Sequence, residues 1–251
     1  MNPITKSSNP VLGNNTFKNP AYSGDIGDVM TIQGTVNKSI LLVFLVVLSA
    51  SYTWKLMLEG VSSAMMTYML IGAIGGFIVA MVSVFKKEWT PITAPMYAIL
   101  EGLFLGGISA MFNAQYPGIV IQAVALTFGT TFGLLFAYKS RLIKVTENFR
   151  LGVVAATGGI FIAYMFSFIL GMFGVNIGFM HSNGPVGIIV SLVIVVVAAL
   201  NLVLDFDFIE KGADAGAPKF MEWYAAFGLL VTLVWLYLEM LRLLSKLSGR
   251  R

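Results

Sequence analysis

Seven long apolar runs, separated by short polar segments, make up most of the chain. Each run has about 20 residues, the length that an α-helix needs to cross roughly 30 Å of hydrocarbon. The runs lack the polar/apolar alternation of a lipid-facing β-strand, so they predict helices. We expect an all-α polytopic integral membrane protein with seven transmembrane helices and the last helix central in the bundle. The predicted spans are about 40–57, 63–85, 91–112, 119–138, 151–173, 187–208 and 223–244.

The two ends of the chain differ from this transmembrane domain, which covers residues 38–246. Residues 1–37 are rich in Asn, Pro, Ser, Gly and Thr. They are too polar and too short to build a core, which predicts a flexible cytoplasmic tail. The tail has no apolar stretch like that of a cleaved signal peptide, so we expect the first span to remain in the mature protein. Residues 247–251 form a short basic tail.

Composition excludes several classes of function. Hydrophobic residues make up 57% of the chain and charged residues 11%, and there is no cysteine for a disulfide, a thiol nucleophile or a thiolate metal site. The net charge of +4 comes from basic residues scattered through loops, so no nucleic-acid surface is expected. The zinc-protease, serine-hydrolase and phosphate-loop motifs are absent, as is the Gly-x-Gly-Asp of intramembrane aspartyl proteases, so the protein is not expected to be an enzyme.

The distribution of lysine and arginine predicts the orientation. Eleven of the 16 basic residues lie in the N-terminal segment or in the second, fourth and sixth loops. The positive-inside rule then places the N-terminus in the cytoplasm and, with seven spans, the C-terminus outside. A re-entrant hairpin in place of one span would return the basic C-terminus to the cytoplasm. The short polar loops suggest a bacterial inner membrane, with an organelle membrane as the alternative.

Five acidic residues lie within the predicted spans or at their ends. A carboxylate at membrane depth is costly, which makes each one a candidate for function. We interpret the set as an ion pathway or pH sensor. Its members are Glu101 near the midplane, Asp205 and Asp207 at the cytoplasmic end of the sixth span, Glu222 at the start of the seventh, and Glu239 nearer the outer face.

Structural interpretations of three of these acids remain open. Asp207 and Glu222 are equally explained as interfacial residues in contact with water. Glu239 and Arg242 are three residues apart on one helix face, where they could form a simple ion pair or latch. Glu101 is harder to explain in this way, because its span contains no other charge.

Glycines recur at close spacing in three spans: Gly72, Gly75 and Gly76; Gly102, Gly106 and Gly107; and Gly158 and Gly159. Small residues at four-residue spacing let membrane helices approach closely. We expect these glycines to pack helices together.

Three segments resemble the Bax inhibitor-1 (transmembrane BAX inhibitor motif) superfamily, and the N-terminal segment resembles its bacterial branch. They are Leu-Asp-Phe-Asp-Phe-Ile at 204–209, Glu-Gly-Leu-Phe-Leu-Gly at 101–106, and Leu-Tyr-Leu-Glu-Met-Leu-Arg-Leu-Leu at 236–244. The resemblance covers nearly the whole chain. It implies that a carboxylate near the end of the sixth helix pairs with one in the seventh, and that the pair shares protons to gate a calcium leak.

Asp205 occupies the first position of that pair, and three residues compete for the second. The Leu-Tyr-Leu-Glu match selects Glu239, whereas the Leu-Arg-Leu-Leu match selects Thr232. Depth in the membrane favours Glu222 as the neighbour of Asp205. Two carboxylates that close together would hold one proton between them.

We therefore predict a pH-sensitive cation (calcium) leak channel or proton-coupled transporter. Its expected partners are the lipid bilayer, Ca²⁺ and H⁺, without a bound cofactor. Ca²⁺ prefers several oxygen ligands, which makes Asp205 and Glu222 candidate ligands. The alternative is a non-conducting regulator of membrane protein quality control or stress response, acting through membrane protein partners. The midplane Glu101 favours conduction, because a scaffold gains nothing from it.

Overall fold

The computed structural model describes residues 29–174 and 184–249. Within these ranges the chain forms seven α-helices that are long and apolar enough to cross a membrane, and no β-strand. This confirms the predicted all-α polytopic membrane fold. The helices are α1 (Ile32–Leu58), α2 (Ser62–Phe85), α3 (Thr90–Gln115), α4 (Ile119–Lys139), α5 (Glu147–Met172), α6 (Pro185–Asp214) and α7 (Met221–Ser248).

The helices extend beyond the apolar runs that predicted them. Helix α1 begins at Ile32, inside the segment assigned to the tail, because the Thr31 side chain accepts a hydrogen bond from the Gly34 amide and caps the first turn. Helix α6 continues past Phe208 to Asp214. Apolarity marks the part of a helix in hydrocarbon, whereas capping fixes its end. Residues 1–28 of the predicted tail, and residues 250–251 of the basic tail, lie outside the described residues.

Burial is concentrated in three helices. In the most apolar 18-residue window of each helix, 50% of the residues of α3 and α6 and 44% of those of α7 are buried, against 6–17% in the other four. The last helix is thus among the buried ones, and its central position in the bundle stays a prediction. The four exposed helices present large apolar side chains such as Phe44, Phe77 and Phe161. So much exposed apolar surface suits a lipid bilayer.

The fold consists of two compact units. The first comprises residues 1–110 and 207–230, and the second residues 111–206 and 231–251.

In the first unit, glycines of α3 bring its backbone against α1. A Cβ atom at Gly102 would collide with the backbone of Val46, and one at Gly106 with the backbone of Ala50. Gly72 on α2 meets the Leu100 carbonyl of α3 in the same way. The predicted packing role of these glycines is confirmed.

The glycines of α5 behave differently. A Cβ atom at Gly158 or Gly159 would meet nothing within 4 Å among the described residues. The prediction of close packing was wrong there, because spacing alone does not reveal which face of a helix another helix covers.

Candidate carboxylate sites within the membrane

Asp205 in the second unit has an incompletely bonded carboxyl group. It lies on α6, and the Thr232 side chain on α7 forms a hydrogen bond with it. The other oxygen, Oδ2, is buried and has no hydrogen-bond partner among the described residues. Burying such an oxygen without a partner costs free energy. Fold stability does not account for an aspartate here, which points to function.

Of the three residues that competed to be the partner of Asp205, the structure gives it Thr232. The partner is therefore a hydroxyl, and the Asp205–Thr232 contact contains one carboxyl group instead of two. Thr232 is the residue that the Leu-Arg-Leu-Leu match selects.

A second polar contact lies one turn earlier on α6. The Asn201 amide donates to the Thr157 hydroxyl on α5 at 2.8 Å and to the Val197 carbonyl at 2.9 Å. Asn201 and Asp205 are four residues apart and share one face of α6. The second unit thus has a row of polar side chains along its most apolar helix.

Glu239 lies in a compact cluster with Tyr164 of α5 and Arg242 of α7. Arg242 donates to both Glu239 oxygens, at 2.9 and 3.1 Å, and also to the Tyr164 hydroxyl. The Tyr164 hydroxyl donates to Glu239 Oε1 at 3.0 Å. The Glu239 side chain is 3% exposed and the Arg242 side chain 40%. The pairing of Glu239 with Arg242 is present, and Tyr164 joins it.

Lys246 is a buried basic residue one turn beyond Arg242. Its ammonium group donates to the Gly187 carbonyl at 3.1 Å and to the Ser191 hydroxyl at 2.8 Å, both on α6. From the sequence, Lys246 was counted only among the basic residues that set the membrane orientation. Tyr164 was not identified as a candidate. The available signal was spacing, because Lys246 lies seven residues after Glu239, and Tyr164 seven after Thr157.

Glu222 in the first unit is fully buried and fully bonded. Its carboxylate accepts hydrogen bonds from the Thr31 amide at 2.9 Å and the Thr31 hydroxyl at 2.8 Å. Lys219 pairs with it at 3.0 Å, and Lys38 also donates to it. Glu222 is thus not a water-facing residue. It joins the start of α1 to the start of α7.

The two remaining acids also belong to the first unit. Asp207 is 6% exposed and pairs with Lys211, one turn on along α6, at 2.7 Å. Glu101 on α3 is hydrogen-bonded to the Tyr97 hydroxyl. The ring of Tyr97 packs edge-on against Phe227, with the centroids 5.1 Å apart.

Among the described residues, no three His, Cys, Asp or Glu side chains are arranged to hold a metal ion. The carboxylate of Glu222 is occupied by lysine and threonine donors. A calcium site at Asp205 and Glu222 therefore stays a prediction.

Comparison with known proteins identifies the family. A family model described as Bax inhibitor 1 like matches residues 5–249, nearly the entire chain. No curated protein and no solved structure matches the chain. The family match agrees with the seven helices and with the resemblance at the acidic segments of α3, α6 and α7. The chain belongs to the Bax inhibitor 1 like family.

Proposed function

We propose that the protein is a pH-sensitive cation leak, or a proton-coupled cation transporter, in which Asp205 is the controlling carboxyl group and Ca²⁺ is the principal cation. The buried, unbonded Oδ2 of Asp205 carries the proposal. An ionisable group inside a membrane helix that lacks a full set of partners is typical of ion and proton pathways.

The chemistry follows from the charge of this one group. Deprotonated Asp205 attracts a cation to the row of Asn201, Thr157 and Thr232, whose oxygen atoms supply further ligands. Protonated Asp205 is neutral and no longer attracts it. Because the Asp205 partner is Thr232, the site binds one proton, and flux should follow pH with the slope of a single titrating group.

Glu101 in the first unit is the second carboxyl group that we propose to affect cation flux. Its hydrogen bond with Tyr97 orients the carboxyl group, but no basic partner accompanies it in the described part of the first unit. We assign it a role of its own in cation flux, within the first unit.

The test is flux through liposomes that contain the purified protein. Ca²⁺ entry is recorded between about pH 6 and pH 8 for the wild type, Asp205→Asn and Glu101→Gln. Asp214→Asn is the matched control, because Asp214 is an exposed aspartate at the end of the same helix. We expect Asp205→Asn to remove the pH dependence, Glu101→Gln to reduce flux, and Asp214→Asn to behave as wild type. Absence of Ca²⁺, K⁺ and H⁺ flux from folded protein would overturn the proposal.

The proposed orientation has the N-terminus in the cytoplasm of a bacterial inner membrane. The charge pattern supports it, since the exposed Lys86, Lys139 and Lys144 lie between helices or at a helix end on the side proposed to be cytoplasmic. The chain contains no cysteine, so single cysteines introduced at Ser140 and Glu59 are the only thiols in each variant. An impermeant thiol reagent added to intact cells should label the variant at Glu59 and leave that at Ser140 unlabelled.

One observation favours a second function, that of a regulator acting through protein partners. Residues 30 and 31 are hydrogen-bonded to Ala217 and Glu222, which fixes the position of the chain just before α1. If this function is correct, deletion of residues 1–28 abolishes a stress phenotype that Asp205→Asn leaves intact. The opposite pattern supports the cation leak.

A further inference from the structure

We propose that Glu239, Arg242 and Tyr164 form a second gate in the cation path, at the end opposite Asp205, and that the Arg242 guanidinium group closes it. The inference rests on the proposed function, because a gate has meaning only if the protein conducts. It assigns to Arg242 and Tyr164 a role that the family match does not supply.

Hydrogen bonds between three helices define the path within the second unit. Asn201 joins α6 to α5 through Thr157, Asp205 joins α6 to α7 through Thr232, and Glu239 joins α7 to α5 through Tyr164. Each pair of helices is therefore linked by polar side chains. The three contacts form one polar seam between α5, α6 and α7.

Spacing places the Glu239 cluster further along the same seam. Thr232 and Glu239 are seven residues apart on α7, and so are Thr157 and Tyr164 on α5, which puts each pair on one helix face. Seven residues correspond to about 10 Å along a helix. A cation that passes Asp205 along the seam would next meet Glu239.

The charges of the cluster explain how it would close. Both oxygens of the buried Glu239 are occupied by Arg242, and one also accepts from Tyr164. Occupied in this way, the carboxylate offers no free ligand to a cation. Arg242 itself adds a positive charge that repels one, and a divalent ion is repelled twice as strongly as a monovalent ion.

The structure also indicates which partner would move. Glu239 is almost completely buried, whereas 40% of the Arg242 side chain is exposed. Arginine can carry its charge to water on a long flexible stem, whereas a buried glutamate cannot. Opening would therefore be a swing of Arg242 away from Glu239, and Tyr164 would hold the carboxylate in place.

Lys246 reinforces the barrier at this end of the seam. It lies four residues beyond Arg242 and is held by Gly187 and Ser191 of α6. A cation entering from the end of α7 would meet Lys246 and Arg242 before it reaches Glu239. The same cluster acting only as a structural staple would lack this directional effect.

The test compares two charge-removing substitutions in the liposome assay. Arg242→Gln leaves the Glu239 charge exposed to the path and should raise Ca²⁺ entry by on the order of tenfold, a change of about 1.4 kcal/mol in the barrier. Glu239→Gln removes the negative charge with which Arg242 is paired, and should lower Ca²⁺ entry. Lys55→Gln is the control, because it removes an exposed charge on the same predicted side of the membrane.

Two further variants keep the test decisive if Arg242→Gln fails to fold. Arg242→Lys retains the positive charge and should stay closed. The double variant Glu239→Gln with Arg242→Gln leaves no unpaired charge at either position. It should conduct more than the wild type, because the guanidinium group that closes the gate is absent.

The outcomes separate the gate from the proposed function. Opposite shifts for Arg242→Gln and Glu239→Gln support the gate. If both leave flux unchanged, or lower it equally, while Asp205→Asn alters it, the gate is overturned and the cation leak stands. If neither the wild type nor any variant conducts, both are overturned.

Discussion

The Thr232 side chain of α7 forms the hydrogen bond that the Asp205 carboxyl group of α6 receives from its neighbouring helix. One carboxyl oxygen is bonded and the other, Oδ2, is buried without a partner in the described part of the chain. The contact combines two opposing contributions to stability. The hydrogen bond from the Thr232 hydroxyl stabilises the folded protein, and the burial of the unbonded Oδ2 destabilises it.

Removal of the hydroxyl by Thr232→Val should therefore destabilise the protein. The substitution deprives Asp205 of its hydrogen bond from α7, and losing one partner of a buried polar pair costs about 1–3 kcal/mol. Denaturant unfolding in detergent micelles measures this. The control is Thr131→Val, because the buried Thr131 hydroxyl bonds only the Thr127 carbonyl of its own helix among the contacts described. Equal losses for both variants would show that the contact with Asp205 has no special weight.

Asp205→Asn should have the opposite effect on stability. A neutral amide costs far less free energy to bury than a carboxylate, so the thermal unfolding midpoint should rise. A gain in stability together with a loss of pH-dependent flux is the behaviour expected at a functional site. Asp207→Asn is the comparison, since it removes the ion pair with Lys211 at 2.7 Å. A fall in the midpoint for Asp205→Asn would indicate that this carboxylate is structural.

Glu222→Ala should be among the more damaging substitutions in the first unit. It leaves Lys38 and the Thr31 amide without their acceptor, and removing one partner of a buried ion pair costs about 3–5 kcal/mol. Protease protection of the N-terminal end of α1 and the denaturation midpoint would both report the loss. Glu59→Ala breaks only the exposed pair with Lys55 and should cost at most about 1 kcal/mol. Similar losses of unfolding free energy for Glu222→Ala and Glu59→Ala would contradict the role of Glu222 in joining α1 to α7.

Gly102→Ala should separate α1 from α3. A methyl group at Gly102 has no room beside the Val46 backbone, and backbone atoms cannot turn aside as a side chain can. Gly129→Ala in α4 is the matched control, because a Cβ there meets nothing within 4 Å among the described residues and alanine favours helix over glycine by about 1 kcal/mol. Thermal unfolding should show a loss for the first variant and no loss for the second. Tolerance of both would mean that the α1–α3 contact is looser than described.

The membrane helices followed from sequence because apolar length alone decides whether a segment can cross the bilayer. The helix ends did not, since a cap such as Thr31 adds a turn that hydrophobicity does not record. The positions of the acids were also readable, as carboxylates are conspicuous in apolar runs. Their partners were not, because hydrogen bonds such as Tyr164 to Glu239 join residues 75 positions apart. A tyrosine in an apolar run looks the same whether it faces lipid or a carboxylate.

The contacts of Glu222, which join the start of α1 to the start of α7, can form only late in biosynthesis. Thr31 caps α1 and Lys38 lies within it, and both are synthesised before α7, because their acceptor lies 191 and 184 positions later in the chain. Helix α1 must therefore enter the membrane with these donors unmatched, and only the arrival of α7 completes its start. Bringing α1 and α7 together closes a long loop, and the entropic cost of that closure arises only when synthesis is nearly complete. Nascent chains that stop before residue 222 contain α1 without its acceptor, and would present to the quality-control machinery the Thr31 and Lys38 donors that the finished protein pairs with Glu222.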